Sequence, residues 1–273
     1  MTALQVLRDA PYDYATAVSV AVEAADFERE FNCPEESQRY AIALEHLVFS
    51  RLRNGHSSPN IDEFGSGTGE PVIQAIRNSR FSGIVHGYEI NPDASETAKR
   101  HIEESGLAQR YVVHTASFFE SKHSQSDYLI ANPPYLPCIE ADRKRLILSD
   151  LCGGKEGTHV SEQLLSSGYL NVFLEVSSYS NPVALIKYAQ QRGYRISDFM
   201  VVPLEFGVYS NQDFVKERIL KMREAGRAFC SDSHYLVGSA LFTKGANEKL
   251  DLSPNFLAAL TSIGRPGARA PIL

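Results

Sequence analysis

Apolar residues recur at three- and four-residue spacing in the first fifty positions of the chain, a pattern typical of amphipathic helices. The stretch "YATAVSVAVEAADFEREF" predicts one helix over 14–31. A second helix is predicted after Cys33, because Pro34 suits a first helical position and Gly55 suits a stop. Its apolar side comprises Tyr40, Ile42, Leu44, Leu47, Val48 and Leu52. We therefore predict a small helical cap over residues 1–58.

From residue 59 onward, short apolar runs alternate with helical segments. Strands are predicted at 61–65, 83–90, 110–118, 127–132, 170–178, 194–204 and 234–245, and helices at 70–80, 93–106, 181–193 and 211–226. Such alternation indicates a mainly parallel sheet with helices on both faces. The connection before the last strand is short, which indicates antiparallel insertion. We predict an α/β domain over 59–250.

The remaining residues, 251–273, contain three prolines, Pro254, Pro266 and Pro271. Chain ends of this kind are often poorly ordered. We therefore predict a loose tail.

The composition is that of an ordinary globular protein. Of the 273 residues, 43% are hydrophobic and 22% are charged. The formal net charge of −6 argues against a broad basic surface for nucleic acid. No stretch reaches the roughly 18 apolar residues of a membrane span, and the amino terminus lacks the pattern of an export signal. We therefore expect a cytoplasmic protein with no membrane partner.

The cysteines and histidines show no spacing typical of a metal-binding or redox motif. The four cysteines are Cys33, Cys138, Cys152 and Cys230, and they include no C-x-x-C pair. The eight histidines show no metal-ligand spacing either. We expect reduced thiols and no metal.

A glycine-rich loop, "GSGTG" at 65–69, stands between the first predicted strand of the sheet and the helix after it. Glycines permit positive φ and let a ligand approach the backbone beside the helix amino terminus. The dinucleotide pattern G-x-G-x-x-G would need glycine at position 70, where this chain has Glu70. The loop therefore favours a ligand other than a nicotinamide dinucleotide.

An acidic residue, Glu89, follows at the end of the next predicted strand. A carboxylate in this place can accept hydrogen bonds from both hydroxyls of a ribose. Together with the glycine loop, Glu89 predicts an adenosine-containing ligand.

Two consecutive prolines follow the predicted strand 127–132, in the motif "NPPY" at 132–135. Prolines cannot donate to a sheet ladder and hold the backbone extended. A rigid loop at the carboxyl end of a strand is a usual place for ligands in an α/β sheet. Taken alone, the motif fits a strand-ending turn with a packing tyrosine equally well, but with the glycine loop and Glu89 it indicates a ligand site.

In this order, "EFGSGTG", "YEINP" and "NPPY" resemble the S-adenosylmethionine (SAM)-dependent methyltransferases of the Rossmann-like class I fold, in the subgroup with an N-P-P-Y motif. The similarity spans roughly 61–245. The motif "GGKEG" at 153–157 adds a resemblance to the release-factor glutamine methyltransferases. The resemblance implies a seven-stranded, mostly parallel sheet with its last strand antiparallel, SAM as cofactor, and methyl transfer.

The resemblance also assigns the cofactor-binding residues. The glycine loop, which comprises Gly65, Ser66, Gly67, Thr68 and Gly69, would face the methionine part of SAM. Glu63 would hold its amino-acid end through the loop, Glu89 the ribose, and Ile90 the adenine face.

One position departs from the family pattern. Where the family usually has an aspartate for the adenine amino group, this chain has Ser117. The adenine contact is therefore weaker or is made elsewhere, and Phe118 is predicted to pack on the ring.

In the family that the chain resembles, the N-P-P-Y motif carries the chemistry. By analogy, the side-chain oxygen of Asn132 and the carbonyl of Pro133 would accept hydrogen bonds from an NH2 group, and Tyr135 would stack on the acceptor. Asn132 would also contact the cofactor. Catalysis by such a site consists mostly of orientation and local electrostatics.

Two further groups of residues have alternative interpretations. Ser177, Ser178 and Tyr179 follow a predicted strand and are candidates for the acceptor pocket, although capping of the next helix by Ser180 or Asn181 explains part of that stretch. Four cap aromatics, Tyr12, Tyr14, Phe27 and Phe31, either close over the site or pack the cap onto the domain.

The expected substrate is a small molecule under the cap. The chain lacks the P-R-P-x-T-E segment that release-factor methyltransferases carry before the glycine loop, and the segment after "GGKEG" is short. Both departures argue against a protein substrate. The acidic charge argues against nucleic acid, although adenine is another acceptor for this motif.

A second hypothesis is intramolecular cyclisation of SAM. The azetidine-2-carboxylate synthases, whose layout the capped domain resembles, use the α-amine of SAM to attack the carbon beside its own sulfonium. Asn132 and a tyrosine, Tyr135 or Tyr169, would then stabilise the electron-poor carbon. A third hypothesis is a non-catalytic SAM- or adenosine-binding regulatory protein on the same fold.

Overall fold

A seven-stranded sheet forms the centre of the computed structural model, which describes residues 31, 33–52, 59–123, 126–245 and 251–264. The strands are β1 Asn60–Phe64, β2 Ile84–Glu89, β3 Tyr111–Thr115, β4 Tyr128–Ala131, β5 Asn171–Ser177, β6 Tyr194–Glu205 and β7 His234–Lys244. Their order across the sheet is β3-β2-β1-β4-β5-β7-β6, with β7 antiparallel to both its neighbours and the other pairs parallel. The predicted fold class is confirmed.

The strand register brings the candidate site residues to one edge of the sheet. Phe64 at the end of β1 pairs with Tyr88 of β2 and Ala131 of β4. The glycine loop, Glu89 and the N-P-P-Y motif directly follow these three residues. Because parallel strands end at the same edge, the three motifs lie side by side.

Helices cover both faces of the sheet. They are α1 Pro34–Leu44, α2 Ser50–Leu52, α3 Glu70–Ser79, α4 Pro92–Glu104, α5 Glu140–Arg143, α6 His159–Leu165, α7 Pro182–Gln191, α8 Asp213–Glu224 and α9 Ser253–Leu260. A π-helical segment, Glu45–Phe49, joins α1 to α2. Proline occupies the first turn of α1, α3, α4, α7 and α9, where its missing N–H costs nothing.

The helical segment 34–52 packs into the main hydrophobic core. Leu44 and Leu47 share one buried cluster with Ile76 of α3, and Phe49 stacks on Phe81 at 4.8 Å between ring centroids. This segment therefore shares its core with β1, β2 and β3. The other helix predicted for the cap, over 14–31, lies outside the described residues except for Phe31.

Three of the four cap aromatics, Tyr12, Tyr14 and Phe27, also lie outside the described residues, as does Gly55. The fourth, Phe31, stacks on Tyr209 with ring centroids 5.4 Å apart. Tyr209 belongs to a buried hydrophobic cluster that also contains Tyr135.

The prediction of a loose tail is wrong for residues 251–264. Helix α9 packs on the sheet, with Phe256 and Leu260 completely buried and Phe256 in edge contact with Phe199 of β6. The Leu252 N–H donates to the Ile196 carbonyl. Pro254 starts this helix rather than preventing it.

The prediction of reduced thiols is wrong for two of the four cysteines. Cys138 and Cys152 form a disulfide, whereas Cys33 and Cys230 are free. The bond joins the segment after the N-P-P-Y motif to the start of "GGKEG". The described helices include none with the length and apolar character needed to cross a membrane.

Candidate cofactor and substrate site

The glycine loop after β1 has the backbone conformation that the sequence predicts. Gly65, Gly67 and Gly69 have φ values of 67°, 53° and 76°, in the region that favours glycine. A Cβ added to Gly65 or Gly67 would meet no atom within 4 Å. These two residues therefore border open space, as a loop that cradles a ligand requires.

Gly69 has a different role within the same loop. It precedes the first residue of α3, and a Cβ there would lie 3.3 Å from both Ala98 Cβ and Tyr111 Cε1. Gly69 thus allows close packing of the loop on α4 and β3. Thr68 contributes a carbonyl oxygen that lies 3.1 Å from His101 Nδ1.

Glu89 holds the glycine loop from the end of β2. Its Oε2 accepts the Gly67 N–H at 2.8 Å and its Oε1 accepts the Asn91 N–H at 2.9 Å. The side chain is 7% exposed, and this burial raises the pKa of its carboxyl. Ile90, directly beside it, is 64% exposed, so an apolar side chain borders the acid.

Glu63 lies beneath the loop in the interior. Tyr111 donates to its Oε2 at 2.5 Å, and Ser66 lies beside it. Burial raises the pKa of Glu63 to about 7, and the charge of Glu89 acts in the same direction. Contact of Glu63 with a ligand's amino-acid end, as predicted, would have to pass through the loop.

The ring predicted to pack on adenine is in the core instead. Phe118 is 3% exposed and packs in edge contact with Phe64 and Tyr88 and in a stack with His123. Its neighbour Phe119 is 45% exposed. The prediction for Phe118 is therefore wrong, because the short 3-10 helix Phe118–Glu120 turns this ring inward. Ser117 precedes that helix and is partly exposed.

The N-P-P-Y motif meets helix α1 at the edge of the sheet. Asn132 donates from Nδ2 to Glu36 Oε1 at 2.8 Å, and Tyr135 also hydrogen-bonds to the Glu36 carboxylate. Glu36 is 5% exposed, and burial raises its pKa despite these two bonds. A buried acid from α1 thus forms part of the site.

The other polar atom of the Asn132 side chain, Oδ1, has no partner among the residues that the structure describes. It is buried and accepts no hydrogen bond from them, although buried carbonyl oxygens are nearly always paired. Because Glu36 holds Nδ2, the amide is oriented with Oδ1 free to accept. Oδ1 is therefore an acceptor to which the NH2 group of a ligand could donate.

Tyr135 belongs to an aromatic cluster whose other members are Tyr179, Phe206 and Tyr235. Tyr179 meets Tyr135 edge-on at 5.8 Å and lies 4.8 Å from Tyr235. Phe206 contacts both Tyr179 and Tyr235. Tyr179 is thus beside the motif, and its place in an acceptor pocket stays a prediction.

The two serines before Tyr179 have structural contacts. Ser178 Oγ donates to the Phe229 carbonyl and accepts the Leu236 N–H. Ser177 is fully buried at the end of β5, and its Oγ accepts the Tyr179 N–H. Asn181 caps α7 through the Ala184 N–H.

The "GGKEG" loop supports the N-P-P-Y motif from behind. A Cβ on Gly153 would lie 2.6 Å from the Pro134 carbonyl oxygen, and one on Gly157 would lie 2.4 Å from that of Tyr135. Ser180 donates to the same Tyr135 oxygen at 2.6 Å. Only glycine allows this approach, so the loop fixes the motif's backbone.

Tyr169 lies away from the other candidate catalytic residues. It precedes β5, at the amino-terminal edge of the sheet, and its hydroxyl donates to Asp62 at 2.8 Å. Asn132 and Tyr135 follow β4 at the opposite edge. The predicted catalytic role of Tyr169 is therefore wrong.

Two buried acids, Glu36 and Glu175, were missed in the sequence. Glu36 lies on the buried side of α1, four residues before Tyr40, and Glu175 lies within β5. An acid on an otherwise apolar helix side is the signal that could have identified Glu36. Among the described residues, no group of three or more His, Cys, Asp or Glu side chains is arranged to hold a metal ion.

Comparison with known proteins identifies relatives among methyltransferases. No family model matches the chain. The release factor glutamine methyltransferase of Aquifex aeolicus is 30% identical over 112 residues, which cover 39% of this chain and 40% of that protein. The tRNA1(Val) (adenine(37)-N6)-methyltransferase of Pasteurella multocida is 23% identical over 40% of this chain and 47% of that protein. The chain thus spans less than half the length of these curated relatives.

The structural comparison supports the same fold. A crystal structure from Pyrococcus horikoshii, whose proposed activity is RNA methylation, matches with a TM-score of 0.53 at 13% identity. The match covers 80% of this chain and 88% of that one. The chain therefore has the Rossmann-like class I methyltransferase fold, and about two fifths of its sequence is similar to a release factor glutamine methyltransferase and to a tRNA adenine N6-methyltransferase.

Proposed function

We propose that the protein is a SAM-dependent methyltransferase that acts on the nitrogen of a small molecule. The observation that carries the proposal is the buried Oδ1 of Asn132, which has no partner in the described part of the chain while Glu36 holds the other end of the amide. An unpaired buried acceptor is costly, so a ligand NH2 group that pairs with it gains binding energy. Bound SAM would supply an electrophilic methyl group.

The residues at the sheet edge fit SAM. Gly65 and Gly67 border open space, Glu89 presents a buried carboxylate for ribose hydroxyls, and Ile90 presents an exposed apolar side chain for the adenine ring. Asn132 follows the neighbouring strand, β4. These residues would bind and orient the two reactants, which is the main source of catalysis at such a site.

Enclosure of the acceptor atom supports a small substrate. Helix α1 lies against the N-P-P-Y motif through Glu36, and both Asn132 Oδ1 and Tyr135 are buried. The relatives' names refer to a protein and to tRNA. Because Oδ1 is buried, a large substrate would require a larger movement of α1 than a small molecule would.

Cyclisation of SAM is the second candidate function. The observation that favours it is the same enclosure, because the α-amine of SAM is already present at the site and needs no route from outside. In that case Asn132 and Tyr135 would orient the amine toward the carbon beside the sulfonium.

The deciding experiment is incubation of the purified protein with SAM alone, followed by mass spectrometry. Methylthioadenosine above the rate without enzyme, with a matching four-carbon cyclic amino acid, would support cyclisation and refute methyl transfer. Unchanged SAM that binds in calorimetry would support methyl transfer. Absence of binding would refute both.

A pair of variants tests the cofactor site. Glu89→Gln should weaken SAM binding by about 10- to 100-fold, the range for loss of a charge-assisted hydrogen bond. The control, Asp93→Asn, changes an exposed acid four residues away. Equal affinities for the two variants would contradict the role of Glu89.

A further inference from the structure

Glu36 is a buried carboxylate whose charge no cation among the described residues balances. Its hydrogen bonds come from Asn132 and Tyr135, which are neutral. Within the described part of the chain, Glu36 forms no ion pair. A buried unpaired charge is strongly disfavoured, so either a proton or a cationic ligand must compensate it.

The surroundings of Glu36 also favour a cation. A second buried acid, Glu175, lies close enough that the Glu36 charge adds to the effect of burial, which raises the pKa of Glu175 to about 8. The aromatic cluster supplies the ring of Tyr135 next to the carboxylate. Carboxylates bind ammonium groups through charge-assisted hydrogen bonds.

The hydrogen-bonding capacity of the site matches an ammonium group better than an amide. An ammonium group has three N–H donors and one positive charge. Asn132 Oδ1 is an acceptor that no described residue uses. The Glu36 carboxylate, to which the same amide donates from Nδ2, is a second acceptor and can carry a negative charge. A carboxamide or adenine NH2 is neutral, so with such a ligand only a proton could compensate the Glu36 charge.

We propose that Glu36 binds the charged amino group of the nucleophile, so that the substrate class is primary amines. The inference rests on the proposed function and names the substrate class of that same site. The amino group belongs either to an added amine or to SAM itself.

Glu36 is also placed to free the nitrogen lone pair. The amine binds as R–NH3⁺, and one proton moves from nitrogen to a carboxylate oxygen of Glu36, which leaves R–NH2 and a neutral carboxylic acid. Burial raises the pKa of Glu36 and so brings it nearer to that of an amine. The proton is later released to water.

The test separates charge from shape by the variant Glu36→Gln. A glutamine has the same size and can still accept a hydrogen bond from Asn132, so a purely structural role predicts unchanged binding. The matched control is Glu35→Gln, an exposed acid on the same turn of α1.

In one arm, calorimetry measures binding of SAM and of its deaminated analogue, in which a carbonyl replaces the α-amine. If the amine of SAM is the ligand, Glu36→Gln weakens SAM binding by about 10- to 100-fold and leaves binding of the analogue unchanged. Glu35→Gln changes neither.

In the other arm, SAM is offered with primary amines and with carboxamides of equal size, and products are followed by mass spectrometry. If an added amine is the ligand, wild type methylates amines in preference to amides. Glu36→Gln then raises KM for the amine by about 10- to 100-fold with SAM affinity unchanged.

Two results would overturn this inference without overturning the proposed function. The first is normal SAM binding with Glu36→Gln equal to wild type in both arms. The second is methylation of carboxamides in preference to amines by wild type. The second result does not depend on how well the variant folds. If wild type fails to bind SAM, the proposed function fails as well, so the two failures are distinguishable.

Discussion

The side-chain amide of Asn132 donates a 2.8 Å hydrogen bond to the carboxylate of Glu36, although 96 residues separate the two in the chain. The bond joins helix α1 to the loop after β4. It also fixes which end of the amide remains available, because Nδ2 is engaged and Oδ1 is not. Together with the hydrogen bond between Tyr135 and Glu36, this contact connects the amino-terminal segment with the candidate catalytic motif.

Replacement of Asn132 by alanine should abolish turnover and leave SAM binding nearly intact. The change removes the acceptor for the NH2 group but no residue of the glycine loop. It also leaves Glu36 with one partner fewer, so the free energy of unfolding should fall by about 1–3 kcal/mol. Product analysis, calorimetry and chemical denaturation measure the three effects.

Loss of SAM binding in Asn132→Ala would indicate that Asn132 has a structural role. Undiminished turnover would remove the residue from the mechanism.

Gly67→Ala and Gly69→Ala should have different consequences although they lie two residues apart. Both require positive φ, which costs alanine about 1–2 kcal/mol. The new Cβ of Gly67→Ala enters open space where the cofactor is expected, so SAM affinity should fall roughly tenfold or more. That of Gly69→Ala presses on Ala98 and Tyr111, so stability should fall further, by roughly another 1–2 kcal/mol.

Calorimetry with SAM and thermal unfolding distinguish the two effects. An equal loss of SAM affinity in both variants would contradict the assignment of Gly67 to the ligand side of the loop.

Protein stability should decrease as pH rises from about 4.5 to about 8. Burial raises the pKa of Glu175 from 4.5 to about 8, so the native state holds its proton more tightly than the unfolded state does. Stability is therefore greatest below the unfolded pKa and is lost as the pH rises toward the folded one, by at most about 1.4 kcal/mol per pH unit for this group. Glu175→Gln should make the slope shallower by up to that amount.

Urea denaturation at a series of pH values measures this slope. The control, Glu104→Gln, changes an exposed acid of α4 and should keep the wild-type slope. A wild-type slope in Glu175→Gln would show that Glu175 is not a proton-binding group of the native state. Burial also raises the pKa of Glu63 to about 7, so some slope remains in Glu175→Gln.

Reduction of the Cys138–Cys152 disulfide should lower the melting temperature. The two cysteines are 14 positions apart in the sequence. A disulfide that closes a loop of this length stabilises the folded state by about 3 kcal/mol. For a chain of this size, that corresponds to roughly 5–10 °C. Differential scanning calorimetry with and without reductant measures the shift.

Cys152→Ser should melt at the temperature of the reduced protein and show no further response to reductant. Cys33→Ser, which alters a free cysteine, should keep the full response. An equal melting temperature with and without reductant in wild type would contradict the stabilising role of the bond.

The sequence by itself determined the order of strands and helices along the chain and the position of the three motifs at the ends of strands. Apolar runs of five to twelve residues separated by glycine and proline leave few alternatives for strand position, and strand β6, predicted at 194–204, is observed at Tyr194–Glu205. Glu89 and Asn132 could be identified because Glu89 ends one strand and Asn132 directly follows another, and strand ends in a parallel sheet share one edge.

Only the tertiary structure decided which side chains meet across the chain. The acid of Glu36, on a helix predicted to form a separate cap, reaches Asn132 because α1 packs into the core of the sheet domain. The inward turn of Phe118, the bond of Tyr169 to Asp62 and the packing of α9 likewise depend on contacts between distant residues. Local periodicity determines elements, whereas the burial of a charge or a ring depends on neighbours that the periodicity does not specify.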